Sequence, residues 1–391
     1  MSSLSVQTSI GNIKRKLDAF QSEEPTEKRQ KIQLRAKSLH SDTSKTKKPV
    51  NTQQKAVVIT SFEEYFGVKN IDIPELKDHE VLVENKFVGL NPIDWKGLKY
   101  KFGVYSFPWI QGRESAGVVS KVGSKVKGFK EGEEVFIAST AYRDIRTSTF
   151  QRYTVVDSEL LWKLPTNITL EQGSALGVGL VTASSVLEEI NGIVKDSEED
   201  SKARSKKTVL VWGASSGVGS YVLQLLRVYG YGKIIAVASE KHRSHLLKLG
   251  ATHCIDRFLS DEDLSKEVSK ISDTGIDIGV DVVGKETSDK VIDLLNSSES
   301  KESKVFVGVV SKPSKDKDLD NILVRDVLIK RFHENKTYGS KLVEHTTDLL
   351  TKGKLYPQTN FKRYKGFEGI INGLRDLEKF GASNEKYVVE L

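Results

Sequence analysis

Cysteine is nearly missing from this 391-residue chain. Cys254 stands alone, which excludes an internal disulfide framework and any multi-cysteine zinc or iron–sulfur site. Methionine occurs only at position 1, so no Met-rich surface exists, and the seven histidines are scattered without ligand spacing. No apolar run is long enough to span a bilayer, and the N-terminus lacks the apolar core of a secretory signal. A soluble intracellular protein without a membrane partner is expected. Excess charge is also missing from most of the chain. Of the net +7, residues 1–50 carry eleven Lys/Arg against five Asp/Glu, whereas the rest holds 49 basic and 48 acidic side chains. A body so balanced has no obvious surface for tracking nucleic-acid phosphates.

Residues 1–50 are poor in aromatics and rich in Ser, Lys, Glu and Gln, and cannot bury enough apolar area to offset ordering entropy. A disordered basic tail is expected. It holds two basic clusters, Lys14-Arg15-Lys16 and Lys28-Arg29-Gln30-Lys31, with eleven residues between Lys16 and Lys28. That spacing resembles a bipartite nuclear-import signal, which implies an import carrier as partner and a location in nucleus and cytoplasm. The bland alternative is a solvated tail that only aids solubility.

From Lys55 the pattern changes. Ala56–Ile59, Val81–Val83, Phe87-Val88, Gly117–Val119 and Val135–Ile137 are short β-type runs separated by Gly, Pro, Asp and Lys clusters, as in a β-rich domain. After Leu176 strand and helix alternate. Strands are expected at Val209–Trp212, Ile234–Ala238, Ile278–Val283 and Val305–Val310, giving α/β architecture with a parallel sheet. Asp196–Lys207 reads as a charged surface insertion. An apolar run Val327–Phe332, a helix near Leu342–Leu350 and a last strand Tyr387–Glu390 close the chain.

The segment with most chemical content is Thr208–Gly219, a buried strand, a Gly/Ser turn and then a helix expected over Ser220–Tyr229. Small residues let the backbone approach a pyrophosphate, and the helix offers free N–H groups and the positive end of its dipole. Ala214, Ser215, Ser216, Gly217, Val218 and Gly219 are therefore the candidate dinucleotide-phosphate residues. A second strand follows and ends at Ser239, where such folds read the ribose. An acid there would accept from a 2′-hydroxyl. Ser239 followed by Lys241, His242 and Arg243 suits the 2′-phosphate of NADPH, although Glu240, turned inward, would instead favour NADH.

Five separated segments keep the order found in a known family. They are Asn91-Pro92-Ile93-Asp94-Trp95-Lys96, Gly112–Val119 (GRESAGVV), Gly128–Val135 (GFKEGEEV), the Gly213–Gly219 turn and Leu249-Gly250-Ala251. Over about residues 55–391 the chain resembles the zinc-independent medium-chain dehydrogenase/reductase superfamily, in its fungal enoyl-reductase-like and quinone/alkenal-reductase-like branch. The resemblance implies a GroES-like β-rich catalytic domain (51–177), a Rossmann doubly wound parallel-sheet domain binding NADPH (178–335) and a C-terminal return to the catalytic domain (336–391), after the tail (1–50). Zinc-dependent relatives place a Cys within the segment occupied here by Asn91–Lys96, a His where Arg113 stands and a Cys or Asp near Leu176-Gly177. Asparagine and arginine cannot form a zinc ligand set, so no metal is expected.

Metal-free hydride transfer to an enal, an enone or a quinone needs a rigidly held nicotinamide, a donor to the carbonyl oxygen and a proton for the product. By resemblance Asn91 and Lys96 lie beside the nicotinamide, and Thr182 lies near its carboxamide. Tyr100 is a candidate proton donor. Against these stand a turn at Asn91-Pro92, a solvated Lys96, a helix-interior Thr182 and a packing Tyr100. The expected partner is a small-molecule substrate, in a monomer or homodimer. A second function stays open, a non-catalytic NADPH-binding nuclear sensor. Direct nucleic-acid binding rests on the tail alone.

Overall fold

The computed structural model describes residues 52–139, 143–191, 198–297 and 302–391. The basic tail, with its two clusters, lies outside them. Strands β1 (Gln53–Ile59), β2 (Gly67–Asp72), β3 (Glu80–Leu90), β4 (Trp109–Ile110), β5 (Glu114–Val122), β6 (Glu134–Ala138), β7 (Tyr153–Asp157) and β8 (Trp162–Lys163) build the β-rich part. The runs at Val81 and Phe87 belong to the one long strand β3, which bends through register shifts at Leu82/Val83 and Asn85/Phe87. Strands β9 (Thr208–Trp212), β10 (Lys233–Ala238), β11 (His253–Asp256), β12 (Ile278–Asp281), β13 (Lys304–Gly308) and β14 (Ile322–Asp326) form the second sheet. Strands β15 (Phe361–Lys365) and β16 (Lys386–Glu390) return to the first, in the order β15-β16-β3-β5-β6-β8 with β7 paired to β3, while β2-β1-β4 form a small third sheet.

The second sheet is parallel throughout, in the order β11-β10-β9-β12-β13-β14. Strand β9 is buried at every residue, because a parallel strand covered on both faces needs apolar side chains on both. Chain order reverses between β9 and β12, and ligands of such sheets bind at the C-terminal ends of the strands flanking that point. Here those ends are Trp212-Gly213 and Asp281-Val282.

Several elements end elsewhere than the sequence predicts. Strand β12 stops at Asp281 rather than Val283, because the buried Asp281 carboxylate accepts from Val283 N, Gly284 N, Thr287 Oγ1 and Ser288 Oγ and turns the chain. Strand β14 lies ahead of the expected run Val327–Phe332. Phe332 sits in a short helix, Arg331–Glu334, and stacks on Trp162 at 5.2 Å, while Phe136 covers the other face at 5.0 Å. That three-ring stack ties β6 and β8 to the region after the parallel sheet. The charged insertion is partly structural. It holds a helix, Glu198–Arg204, whose Arg204 is buried and donates Nε to Tyr229 O at 2.7 Å.

Candidate active site at the switch point

Helix α1 (Pro92–Lys99) begins where β3 ends, with Pro92 in its first turn. The Asn91 backbone N–H donates to Asp94 Oδ2 at 2.9 Å, which closes the helix start. Beyond the cap, the Asn91 side chain enters a buried network. Its Nδ2 donates to Glu114 Oε1 at 2.8 Å, and its Oδ1 accepts from Lys386 Nζ at 2.8 Å. Lys386 also pairs directly with Glu114. The other Glu114 oxygen, Oε2, accepts from Val178 N at 2.8 Å, at the start of α2 (Gly177–Asn191). A fully buried carboxylate thus joins β3, β5, α2 and β16. Gly89 makes room for it, since a Cβ there would lie 2.7 Å from Glu114 Oε1.

The network leads straight to the Gly/Ser turn. A Cβ on Gly179, the residue after Val178, would lie 2.9 Å from the Tyr221 ring and 3.5 Å from Gly217 O. Helix α3 (Gly217–Val228) starts three residues before the predicted Ser220, with Ser216 as its cap. Ser216 Oγ accepts from Gly219 N at 3.0 Å, leaving the other first-turn N–H groups to an incoming anion. The turn is built for close approach. Gly213 has φ +81°, and a Cβ on Gly219 would lie 2.4 Å from Gly213 O. Ala214 is fully buried beneath it, whereas Ser215, Ser216, Gly217 and Val218 are partly exposed. Gln358 reaches over from the C-terminal return, its amide 3.7 Å from where a Gly217 Cβ would be.

The other sequence-derived candidates fall into two places. Thr182 is buried on α2, one turn beyond Val178, and donates Oγ1 to Val178 O at 2.7 Å. Lys96 is half-buried on α1, with its ammonium 5.6 Å from the centre of the Trp95 ring. Burial pushes its pKa below the usual lysine value. No carboxylate lies within ion-pair distance of it among the described residues. Tyr100 ends α1, packed 6.2 Å from Trp95. The ribose-reading candidates cluster after β10. Ser239 is partly exposed, Lys241 and Arg243 are exposed, and His242 is buried with Nε2 2.9 Å from Ser383 Oγ. Arg243 is engaged by Glu240, which faces outward.

The residues with most partners here, Glu114 and Lys386, carry no role in the sequence reading. A glutamate at the head of an apolar β-run was the available signal for Glu114. Lys386 carried none. A cavity of about 180 Å³, lined by Ser139, Asp157, His333 and Lys336 among others, lies apart from every candidate above. It is too small for a dinucleotide.

Asp94 is fully buried beside Arg113, Lys386 and Glu114. Burial pushes its pKa up to about 7, against the pull of Arg113, the Asn91 N–H and Lys386. A carboxyl whose folded pKa exceeds its unfolded value stabilises the fold most below the unfolded value. That contribution is lost as pH rises through the folded one. Stability should therefore decline between about pH 4 and pH 7, and Asp94→Asn, which keeps the acceptor for Asn91, should flatten the decline. Urea midpoints measured across that range for both proteins check this; parallel curves would refute it.

A Gly/Ser turn at the switch point of a parallel sheet, next to a buried polar junction with the β-rich part, defines a dinucleotide-dependent protein of the dehydrogenase type. Comparison with known proteins agrees. Residues 77–166 match the alcohol dehydrogenase GroES-like domain and residues 217–350 match the zinc-binding dehydrogenase family. The trans-enoyl reductase tazE of Aspergillus terreus is 34% identical over 210 residues, 52% of this chain and 68% of that one. The chloroplastic NADPH-dependent alkenal/one oxidoreductase of Arabidopsis thaliana is 34% identical over 207 residues, 50% of this chain and 51% of that one. A solved alcohol dehydrogenase superfamily protein from Novosphingobium aromaticivorans superposes with a TM-score of 0.72 at 21% identity, covering 86% of this chain and 99% of its own. The chain belongs to the medium-chain dehydrogenase/reductase superfamily.

Proposed function

We propose that the protein is a zinc-free, NADPH-dependent reductase of activated carbon–carbon double bonds or quinones. The similar tazE and alkenal/one oxidoreductase support the reaction class. The observation that carries the metal-free reading is Lys96, a half-buried cation without a carboxylate partner among the described residues. Such a group is ready to meet an anion, which in this chemistry is the oxygen of a reducing enone. By resemblance, Arg113 stands where zinc-dependent relatives carry a His and the segment Asn91–Lys96 where they carry a Cys, and both Glu114 oxygens are already engaged. The Gly213–Gly219 turn fits a pyrophosphate because it is built of small residues at the start of α3, where Ser216 caps only the Gly219 N–H.

When bound, NADPH supplies the hydride. The chain's own residues would do the rest. Lys96 donates to the carbonyl oxygen and stabilises the charge that develops there, and its lowered pKa makes its proton easier to give. Tyr100 is the second proton candidate. Asn91, fixed by Glu114 and Lys386, presents a rigid wall rather than a mobile amide. Ser216 and the α3 terminus hold phosphate. Turnover of NADPH against a panel of enals, enones and quinones tests the reading, and tight binding without turnover of any would favour the sensor instead.

Cofactor preference follows from Lys241 and Arg243. Charge-assisted bonds to phosphate contribute roughly 1.5–3 kcal/mol. Replacing both residues with Ala should weaken NADPH binding about tenfold or more while leaving NADH within about twofold. Fluorescence titration of the bound nicotinamide reads both, and equal affinity for the two cofactors in the unmodified protein would refute the assignment.

We also propose location in nucleus and cytoplasm, supported by the two basic clusters of the tail. Neutralising Lys14, Arg15, Lys16, Lys28, Arg29 and Lys31 should shift a fluorescent fusion, too large to diffuse through nuclear pores, towards the cytoplasm. NADPH affinity should stay unchanged. Identical distributions would reduce the tail to a solubilising extension.

A further inference from the structure

The turn that follows β10 carries its own anion. Arg243 Nη2 donates to Glu240 Oε2 at 2.9 Å while Arg243 Nε donates to Oε1, a two-pronged pair between exposed side chains. Arg243 holds the Glu240 carboxyl below its usual pKa, so the pair persists across neutral pH. His242 adds no charge to the same turn. It is buried against Ser383, and burial pushes its pKa below the usual histidine value. Of the three basic residues here, Lys241 alone among the described residues faces solvent without a carboxylate within 4.0 Å.

We propose that Glu240 is a specificity-determining residue that competes with the cofactor's 2′-phosphate for Arg243. The proposal rests on the NADPH reading above and deepens it. A phosphate arriving at Arg243 must displace a carboxylate whose geometry already satisfies the guanidinium fork, and near neutral pH it carries almost two negative charges of its own. The same carboxylate, held by Arg243, can accept from the 2′-hydroxyl of a cofactor without the phosphate. Glu240 therefore narrows the preference for NADPH from both sides. Because the pair is exposed, its grip on Arg243 is weak and screened, and the effect should be several-fold rather than a thousandfold.

Adenosine 2′,5′-bisphosphate and 5′-AMP isolate this end of the cofactor from the nicotinamide end. Calorimetric titration of the full chain with each should show the bisphosphate binding more tightly to the unmodified protein. In Glu240→Gln the bisphosphate should bind about three- to tenfold more tightly still, with 5′-AMP unchanged or weaker. In an Arg243→Ala background the gain from Glu240→Gln should shrink, because the competed group is gone. Unchanged or weaker bisphosphate binding in Glu240→Gln, with the preference of the unmodified protein intact, would overturn the role of Glu240 alone. Equal binding of bisphosphate and 5′-AMP by the unmodified protein and by Glu240→Gln would overturn the NADPH reading, and this proposal with it.

Discussion

Replacing Lys96 with Met should lower kcat/KM for an enone about a hundredfold to a thousandfold, the usual cost of losing one donor to a developing oxyanion. Met keeps the approximate length and the apolar stem of lysine, while the charge and its cation–π contact with Trp95 are lost. The dissociation constant of NADPH should change little, because the phosphate-binding turn lies on α3. That split separates the catalytic role from two others. If Lys96 served mainly to hold the nicotinamide ribose, NADPH affinity would fall with kcat/KM. If it were a solvated lysine, neither would move, and the catalytic assignment would be lost. The pH profile adds a second readout. Burial lowers the Lys96 pKa, so the loss of rate at high pH should set in below the range of an exposed lysine and vanish in Lys96→Met. Tyr100→Phe run beside it tests the other proton candidate.

The parallel sheet was legible because each of its strands is a local signal. Thr208–Trp212 is apolar on both faces and runs into a Gly/Ser turn, and a strand buried on both sides can be read from its own residues. The phosphate-binding turn was legible for the same reason, since its small residues answer to backbone sterics within one segment. The start of α3 was misplaced by three residues because glycine reads as a helix breaker, whereas Ser216 caps a helix that opens on Gly217. Strand β14 has no signal of its own in the sequence, where the apolar run Val327–Phe332 stands out instead. Phe332 is apolar for another reason, the stack on Trp162, a contact that no local pattern announces.

The junction around Asn91 was only half visible. Its motif marked a turn and a helix, yet the groups that fix the Asn91 amide come from β5 and β16, the latter 295 residues away. Arg204 was hidden by its company, a single buried cation inside a run of charges that reads as solvated surface. Arg243 reads from its charge as a phosphate ligand, and its pairing with the carboxylate three residues before it shows only in the fold. In each case composition was read correctly and pairing was not. Pairing depends on which elements the fold brings together.

Glu114→Ala should be the most destabilising single change at this junction, by about 3–5 kcal/mol, the range for breaking a buried ion pair from one side. The carboxylate is fully buried and meets the Lys386 ammonium, the Asn91 amide and the Val178 N–H. Removing it leaves the largely buried Lys386 cation and two donors without their acceptor, and each buried donor left unsatisfied costs roughly 1–3 kcal/mol of desolvation. The loss should show as a lower urea midpoint, with the slope retained if unfolding stays cooperative. Lys386→Met placed on the Glu114→Gln background should recover part of it, since the stranded charge is then gone while Gln still accepts from Val178 N. The same pair tests function separately from stability. Because Asn91 is held by both residues, the double variant should fold yet bind NADPH more weakly than the unmodified protein. A Glu114→Ala protein as stable as the original would mean that the domains are joined by the Phe136–Trp162–Phe332 stack, with the polar network only filling space beside it.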